Sequence, residues 1–241
     1  MTDIYEELKE KIFRISAEEN LLLEPVRVKA RVLSTEEAIG NPEADDFPLQ
    51  KGKEKMMQAE FLGAVGQAFT DRYGDFEGTL EDVLKMELSN NFRRAIFVST
   101  INAVLRHLNK IEKTVHCRDK EPAECATELS AHILGKFGKV KTALIGFQPR
   151  MAEALSAQFT LRVVDLDQDN IGKEKFGVTI EGPENTENVM DWADLLVVTG
   201  TTLVNGTIVN FLRDIPLLFY GTTIAGAAYL MNWDRFCGRG H

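Results

Sequence analysis

Cysteine is scarce in this chain. Three residues in 241 are too few, and odd in number, for a disulfide framework. Free thiols in a reducing compartment are the simplest reading, so a cytoplasmic location is expected. Long apolar runs are missing: none approaches the roughly 18–20 residues needed to cross a bilayer, and membrane insertion is not expected. Basic charge is also short. Lys and Arg total 28 against 37 Asp and Glu, a net charge of −9 at pH 7. A phosphate backbone calls for a basic face, so nucleic acid is not an expected partner. No Cys-x-x-Cys pair, Ser-His-Asp arrangement, metalloprotease helix or P-loop occurs. The opening Met1–Glu7 reads as an acidic helix rather than a signal peptide.

What is present is a globular composition, with 44% hydrophobic and 27% charged residues, enough for a proper core. Ile4, Leu8, Ile12 and Ile15 recur at helical spacing and predict a helix over 3–19. Beyond Pro25, the alternation of Val26, Val28, Ala30 and Val32 with Arg27, Lys29 and Arg31 predicts a half-buried strand. Residues 40–55 read as a surface loop. Met57–Thr70 reads as extended, with Gly63 and Gly66 permitting a turn or bulge, and 79–88 as a short helix opened by Thr79. Phe92–Leu108 predicts a long helix. Its first turn holds Arg93 and Arg94, which oppose the helix dipole and hint at a carboxylate or anionic partner.

The texture then changes. A helix from near Pro122 to Gly138 carries Cys125, Leu129, Ile133 and Phe137 on one face. Short apolar runs then alternate with helices: strands at 143–146, 161–166, 195–198 and 217–220, helices at 151–159, 204–212 and 224–231. That alternation predicts a parallel sheet of four or five strands covered on both faces. The expected organisation is α/β, with a small α+β domain over 1–91 followed by a Rossmann-like domain over 92–241 that holds the ligand pocket.

The clearest functional signal is a pair of turns, Thr199-Gly200-Thr201-Thr202 and Gly221-Thr222-Thr223, each where a strand hands over to a helix. Exposed amides, helix dipoles and hydroxyls there predict an anion-binding pocket, with Asn205 able to donate and accept. Helix capping is the bland alternative for these threonines. The first strand-to-helix turn, Gly146-Phe147-Gln148-Pro149-Arg150, keeps only the first glycine of a dinucleotide fingerprint, with Gln148 and Arg150 beside the pocket mouth. Asp165 stands where nucleotide-binding sheets place a ribose-holding acid. With Asp167 and Asp169 it could instead hold a hard cation. His116 and Cys117 with Cys125 form one soft-metal candidate, and Cys237 with His241 another, although an inert buried thiol is the default for Cys125.

The run Gly146-Phe147-Gln148-Pro149, the strand ending in Asp165, Trp192-Ala193-Asp194-Leu195 and above all Thr199-Gly200-Thr201-Thr202-Leu203-Val204-Asn205-Gly206-Thr207 carry a family likeness. With Thr100-Ile101-Asn102-Ala103-Val104, they resemble a heavy-metal chelatase family of unknown function. The resemblance implies an enolase-N-terminal-like domain joined to a Rossmann-like domain, with a pocket between them suited to heavy-metal binding.

Two functions follow as expectations. The first is binding of a heavy or transition metal, or a small anionic chelate of one, in an interdomain cleft. Gly146, Gln148, Arg150, Asp165, Thr199, Gly200, Thr201, Thr202, Asn205, Gly221, Thr222 and Thr223 would hold the ligand, and His116, Cys117 and Asp167 the metal. The second is a Rossmann-type enzyme using a nucleotide or methyl-donor cofactor on a small organic substrate. No catalytic base is evident and no reaction is assigned. The expected partner is a small molecule or metal, and nothing in the chain speaks against a homo-oligomer.

Overall fold

A computed structural model describes residues 3–29 and 55–241. The predicted loop at 40–55, apart from Lys55, and the end of the predicted first strand, Ala30–Val32, lie outside the described residues.

Helix α1 (Ile4–Glu18) begins at Asp3, whose carboxylate accepts the Tyr5 N–H at 2.9 Å, and it buries Ile4, Leu8 and Ile12 along one face. Strands β1 (Pro25–Lys29), β2 (Lys55–Phe61), β3 (Ala64–Thr70) and β4 (Phe76–Thr79) form an antiparallel sheet in the order β3-β2-β1-β4. Leu62 and Gly63, both at positive φ, turn β2 into β3. Gly66 is not the bulge that the sequence allowed. It pairs in register with Ala59, and a Cβ there would lie 2.3 Å from both the Ala103 nitrogen and the Ser99 oxygen. Glycine at this point lets strand and helix backbones touch.

That helix is α3 (Asn91–His107), reached through α2 (Leu80–Lys85), which is opened by a reciprocal Thr79–Asp82 capping box. Every residue of α3 from Ala95 to Leu105 is buried. A helix buried all round lies inside the protein rather than on its surface. Here it is sandwiched between the antiparallel sheet and the second half of the chain. The expectation of a carboxylate or anion for Arg94 is corrected: its guanidinium donates to the carbonyls of Val204 at 2.7 Å and Leu88 at 3.0 Å, and to Asn91 Oδ1 at 2.5 Å.

Helix α4 (Glu121–Phe137) ends at Gly138, whose φ of 75° suits glycine. It leads into β5 (Thr142–Ile145), α5 (Pro149–Ser156) and β6 (Leu161–Val164), then the strands β7 (Glu174–Lys175) and β8 (Val178–Glu181). Next come α6 (Thr186–Trp192), β9 (Leu195–Thr199), α7 (Thr201–Asn205), β10 (Leu217–Tyr220), α8 (Ala225–Met231) and β11 (Arg235–Phe236). The sheet order is β11-β10-β9-β5-β6-β8-β7, parallel except for the antiparallel β7–β8 pair. Seven strands replace the expected four or five; the added ones are two to four residues long and carry little apolar signal.

The helix expected at 204–212 is also corrected. The chain turns helical earlier, at Thr201, and stops at Gly206, whose φ of 84° ends it; a single 3-10 turn over Ile208–Phe211 follows.

One face of the parallel sheet (Ala143, Ile145, Val198, Phe219) shares a core with α3, α6 and the antiparallel sheet. The other (Leu144, Val163, Val197, Leu218) packs on α4 and α5. The order reverses between β5 and β9. Parallel sheets open a crevice at such a switch point, beyond the carboxyl ends of the strands.

Candidate functional site

A cavity of about 500 Å3 lies at this switch point. The two glycine-threonine turns meet on its wall. The Gly200 N–H donates to the Tyr220 carbonyl at 3.1 Å, and a Cβ on Gly200 would sit 2.7 Å from the Ile224 nitrogen and 3.2 Å from Thr223 Cβ. Glycine is needed there because the turns are in backbone contact. Gly146 faces them from β5, and Tyr220 fixes it by donating its hydroxyl to the Gly146 carbonyl at 2.9 Å.

Of the residues expected to bind a ligand or metal, Arg150 is absent from the wall, as are Asp169 and His241 from the alternative cation and soft-metal candidates. Arg150 lies on α5, paired with Glu153 at 2.7 Å and stacked over Phe176. Gly146, Gln148, Asp165, Asp167, Thr199, Gly200, Thr201, Thr202, Asn205, Gly221, Thr222, Thr223, His116 and Cys117 all border the cavity.

Many of their polar groups are already engaged, which revises the chemistry. Thr202 Oγ1 donates to the Thr199 carbonyl at 2.7 Å, and the Thr199 and Thr201 hydroxyls pair at 3.2 Å. Asn205 Oδ1 accepts from the Thr207 amide and hydroxyl at 3.0 and 2.7 Å. Thr223 Oγ1 accepts the Phe69 N–H at 3.2 Å, which joins the antiparallel sheet to the cavity wall. Gln148 caps α5 by accepting the Met151 N–H at 2.6 Å. Thr222 is different. It is 2% exposed and borders the cavity, and its Oγ1 has no hydrogen-bond partner among the described residues.

The charge of the wall bears on the expected anion pocket. Helices α7 and α8 have five and seven residues, so their dipoles are weak. No Lys or Arg borders the cavity among the described residues, whereas Asp165, Asp167 and Glu187 do. Glu187 is held by Arg213 at 2.6 Å. Asp165 accepts the Phe147 N–H at 2.5 Å and the Asp167 N–H at 2.6 Å, so both its oxygens organise the β5 and β6 loops. Burial, assisted by the neighbouring Asp167 charge, pushes the Asp165 carboxyl above the usual carboxylate range against these hydrogen bonds.

His116 packs edge-on to Phe69, and its Nδ1 contacts the Cys117 carbonyl at 2.6 Å. Burial pushes its pKa down to about 4, with the Cys117 carbonyl and the Glu121 charge opposing, so the ring is neutral at pH 7. Burial pushes the Cys117 and Cys125 thiols up. Among the described residues, no group of three or more His, Cys, Asp or Glu side chains is arranged to hold a metal ion by itself. His116, Cys117 and Asp167 therefore do not make a closed three-ligand cage.

Sequence reasoning missed most of the apolar walls: Phe69, Met151, Phe211 and Tyr220. Each is an ordinary core residue by pattern, and only the topology turns it towards the crevice.

Fold and site define an α/β protein in which an antiparallel sheet is joined through a buried helix to a Rossmann-like sheet with a switch-point cavity. Residues 128–223 match the DUF364 family, described as "Putative heavy-metal chelation". This is the family to which the sequence likeness pointed. Two solved structures are similar, both proteins of unknown function from that family. The one from Pyrococcus horikoshii has a TM-score of 0.56 at 15% identity, covering 92% of this chain and 80% of that one. The one from Desulfitobacterium hafniense has a TM-score of 0.50 at 12% identity, covering 73% of this chain and 72% of that one. Identities this low speak for the fold alone. No curated protein matches. No helix among the described residues is long and apolar enough to cross a membrane.

Proposed function

We propose that the protein binds a heavy or transition metal in the switch-point cavity, as a complex with a small organic chelator rather than as a bare ion. The observation that carries this reading is the mismatch between the cavity and a protein-only metal site. About 500 Å3 is the size of an organic ligand pocket, far more than an ion needs. Yet no three protein donors converge on one point among the described residues. A metal bound here needs further donors, and the cavity has room for the molecule that brings them.

Charge and surface chemistry support the same reading. The wall carries the acids Asp165, Asp167 and Glu187 and, among the described residues, no Lys or Arg, which suits a cationic or neutral complex better than an anionic one. Phe147, Met151 and Phe211 offer apolar surface to the organic part. Thr222 Oγ1 offers one unspent hydrogen bond, and leaving such a group unpaired costs about 1–3 kcal/mol that a ligand can recover. The family description of residues 128–223 agrees at the level of metal chelation.

The nucleotide-dependent enzyme is the second reading. It is favoured by the position of Asp165 at the end of β6, next to the switch-point strand. Against it stand the two amide bonds that the carboxylate already accepts and the Phe147 ring beside Gly146, where a pyrophosphate needs open backbone.

Thermal shift separates the two. The protein is melted with cadmium–bipyridine, cadmium chloride or bipyridine, and with ATP, NAD and S-adenosylmethionine. Stabilisation by the cadmium complex beyond either component supports chelate binding. Stabilisation by a nucleotide or methyl donor alone replaces it with the enzyme reading.

A further inference from the structure

His116 borders the cavity, half-buried, on the irregular stretch between α3 and α4. Its place is fixed by specific contacts. The His116 backbone N–H donates to Gln67 Oε1 at 2.8 Å, and Gln67 Nε2 donates in turn to Gln58 Oε1 at 2.9 Å. The Gln67 N–H donates to the Thr114 carbonyl at 3.0 Å, and the Thr114 hydroxyl to the Val65 carbonyl at 2.6 Å. Residues 114–116 are thus held along β3, whose Phe69 packs edge-on against the imidazole with ring centres 5.2 Å apart. The same Phe69 donates its N–H to Thr223 Oγ1, so one residue connects the imidazole to the second glycine-threonine turn.

The two ring nitrogens have different tasks. Nδ1 lies 2.6 Å from the Cys117 carbonyl. A carbonyl oxygen only accepts, so Nδ1 carries the proton, and in the neutral ring Nε2 keeps its lone pair. Among the described residues no hydrogen bond reaches Nε2. A metal-bound histidine almost always has this arrangement: one ring nitrogen on the metal, the other donating its N–H to a carbonyl or carboxylate that fixes the tautomer. Two acids on the same wall are spent otherwise. Asp165 accepts the amides of Phe147 and Asp167, and Glu187 is held by Arg213.

We propose that His116 Nε2 is the one protein ligand of the metal in the bound chelate. A single donor needs no cluster of three, and none occurs among the described residues. This rests on the chelate-binding reading and goes beyond it by naming the donor atom and the class of complex. The chelator must leave a position on the metal open. The metal must take imidazole, as zinc, copper and nickel do and magnesium and calcium do not. On binding, the Nε2 lone pair replaces a water or chloride on the metal, and the proton stays on Nδ1, facing its carbonyl.

The test uses the full-length protein labelled with nitrogen-15 in its histidines. The probe is cadmium, a heavier congener of zinc, as its one-to-one complex with unlabelled bipyridine. Nitrogen NMR reads the ring atoms of all four histidines. On adding the complex, the Nε2 signal of His116 should leave the position of a bare nitrogen for that of a coordinated one, with Nδ1 still protonated. His116→Gln should lack this signal and bind the complex more than about tenfold more weakly, the low end of what losing even an outer-shell partner costs. Should that variant fail to fold, His107→Gln, His132→Gln and His241→Gln assign the signal by elimination. Calorimetry reports whether the complex binds. Binding with His116 Nε2 unchanged, or with another histidine coordinated, overturns the ligand assignment and leaves chelate binding standing. The same Nε2 shift with bipyridine alone also overturns the assignment. No binding of the complex overturns both.

Discussion

Asn102 Oδ1 accepts the Gly226 N–H at 2.7 Å, deep between the two sheets. The same side chain donates through Nδ2 to the carbonyls of Gln67, Thr222 and Thr223 at 3.0, 3.2 and 3.1 Å. One fully buried amide thereby joins β3, α3, the second glycine-threonine turn and α8. Asn102→Asp replaces a donor by an acceptor opposite three carbonyls. It should cost at least about 3 kcal/mol, as for a buried charge without its partner. In a chain of this size that lowers Tm by roughly 6–12 °C, checked by calorimetry. A variant that melts with the wild type would show that Asn102 does not hold the turn.

The unspent hydroxyl of Thr222 separates stability from binding. Thr222→Val keeps the shape and removes the orphaned oxygen, so Tm should stay level or rise by a few degrees. Affinity for the cadmium–bipyridine complex should fall if the ligand uses that hydroxyl. Isothermal titration reads one and thermal denaturation the other. Equal affinity in both proteins would remove Thr222 from the binding site.

The two turn glycines should respond differently to alanine. At Gly200 a Cβ meets the Ile224 nitrogen at 2.7 Å, so the turns must separate, with an expected loss of about 1–3 kcal/mol and of ligand response. At Gly221 there is open space but a φ of +95°, and the strain costs roughly 1–2 kcal/mol. Denaturant melts of Gly200→Ala and Gly221→Ala, paired with ligand titration, check this. Gly221→Ala should retain binding and Gly200→Ala should not.

Tyr5 supplies a pH test remote from the cavity. Its hydroxyl donates to the Leu203 carbonyl at 2.6 Å, on the helix that carries Thr201, Thr202 and Asn205. Burial pushes its pKa up to about 12, with Arg94 opposing and Asp3 assisting. The folded value exceeds the ordinary tyrosine value of 10.0, so this contribution is complete below pH 10 and is lost as pH rises towards 12. The wild type should lose about 2 kcal/mol more than Tyr5→Phe across that window, after allowance for the partial exposure of the ring. Parallel pH profiles for the two proteins would contradict the assignment.

The regular elements were legible because their patterns are local. Ile4, Leu8 and Ile12 mark α1, Gly138 stops α4, and the apolar run at Leu195–Val198 marks a buried strand. The short helix at Thr201 was displaced in the sequence reading because Val204–Leu212 is apolar at helical spacing, while Gly206 breaks it through backbone geometry. The turn residues were legible as chemistry but not as partners. Nothing local says that Thr223 serves Phe69 or that Asp165 serves Phe147. The sign of the cavity was not legible at all, since it depends on which charged side chains fold away, as Arg150 does onto Glu153. Nor does anything local say that Cys237 borders the same cavity as Cys117, near a segment where Val115 and His241, far apart in the chain, exchange backbone hydrogen bonds.

The most direct measurement is anomalous scattering from crystals grown with the cadmium–bipyridine complex. The account predicts one strong cadmium peak inside the cavity beyond the carboxyl ends of β5 and β9, with the heterocycle lying against Phe147 and Phe211. Cadmium found only on surface carboxylates, with the cavity holding solvent alone, would contradict it.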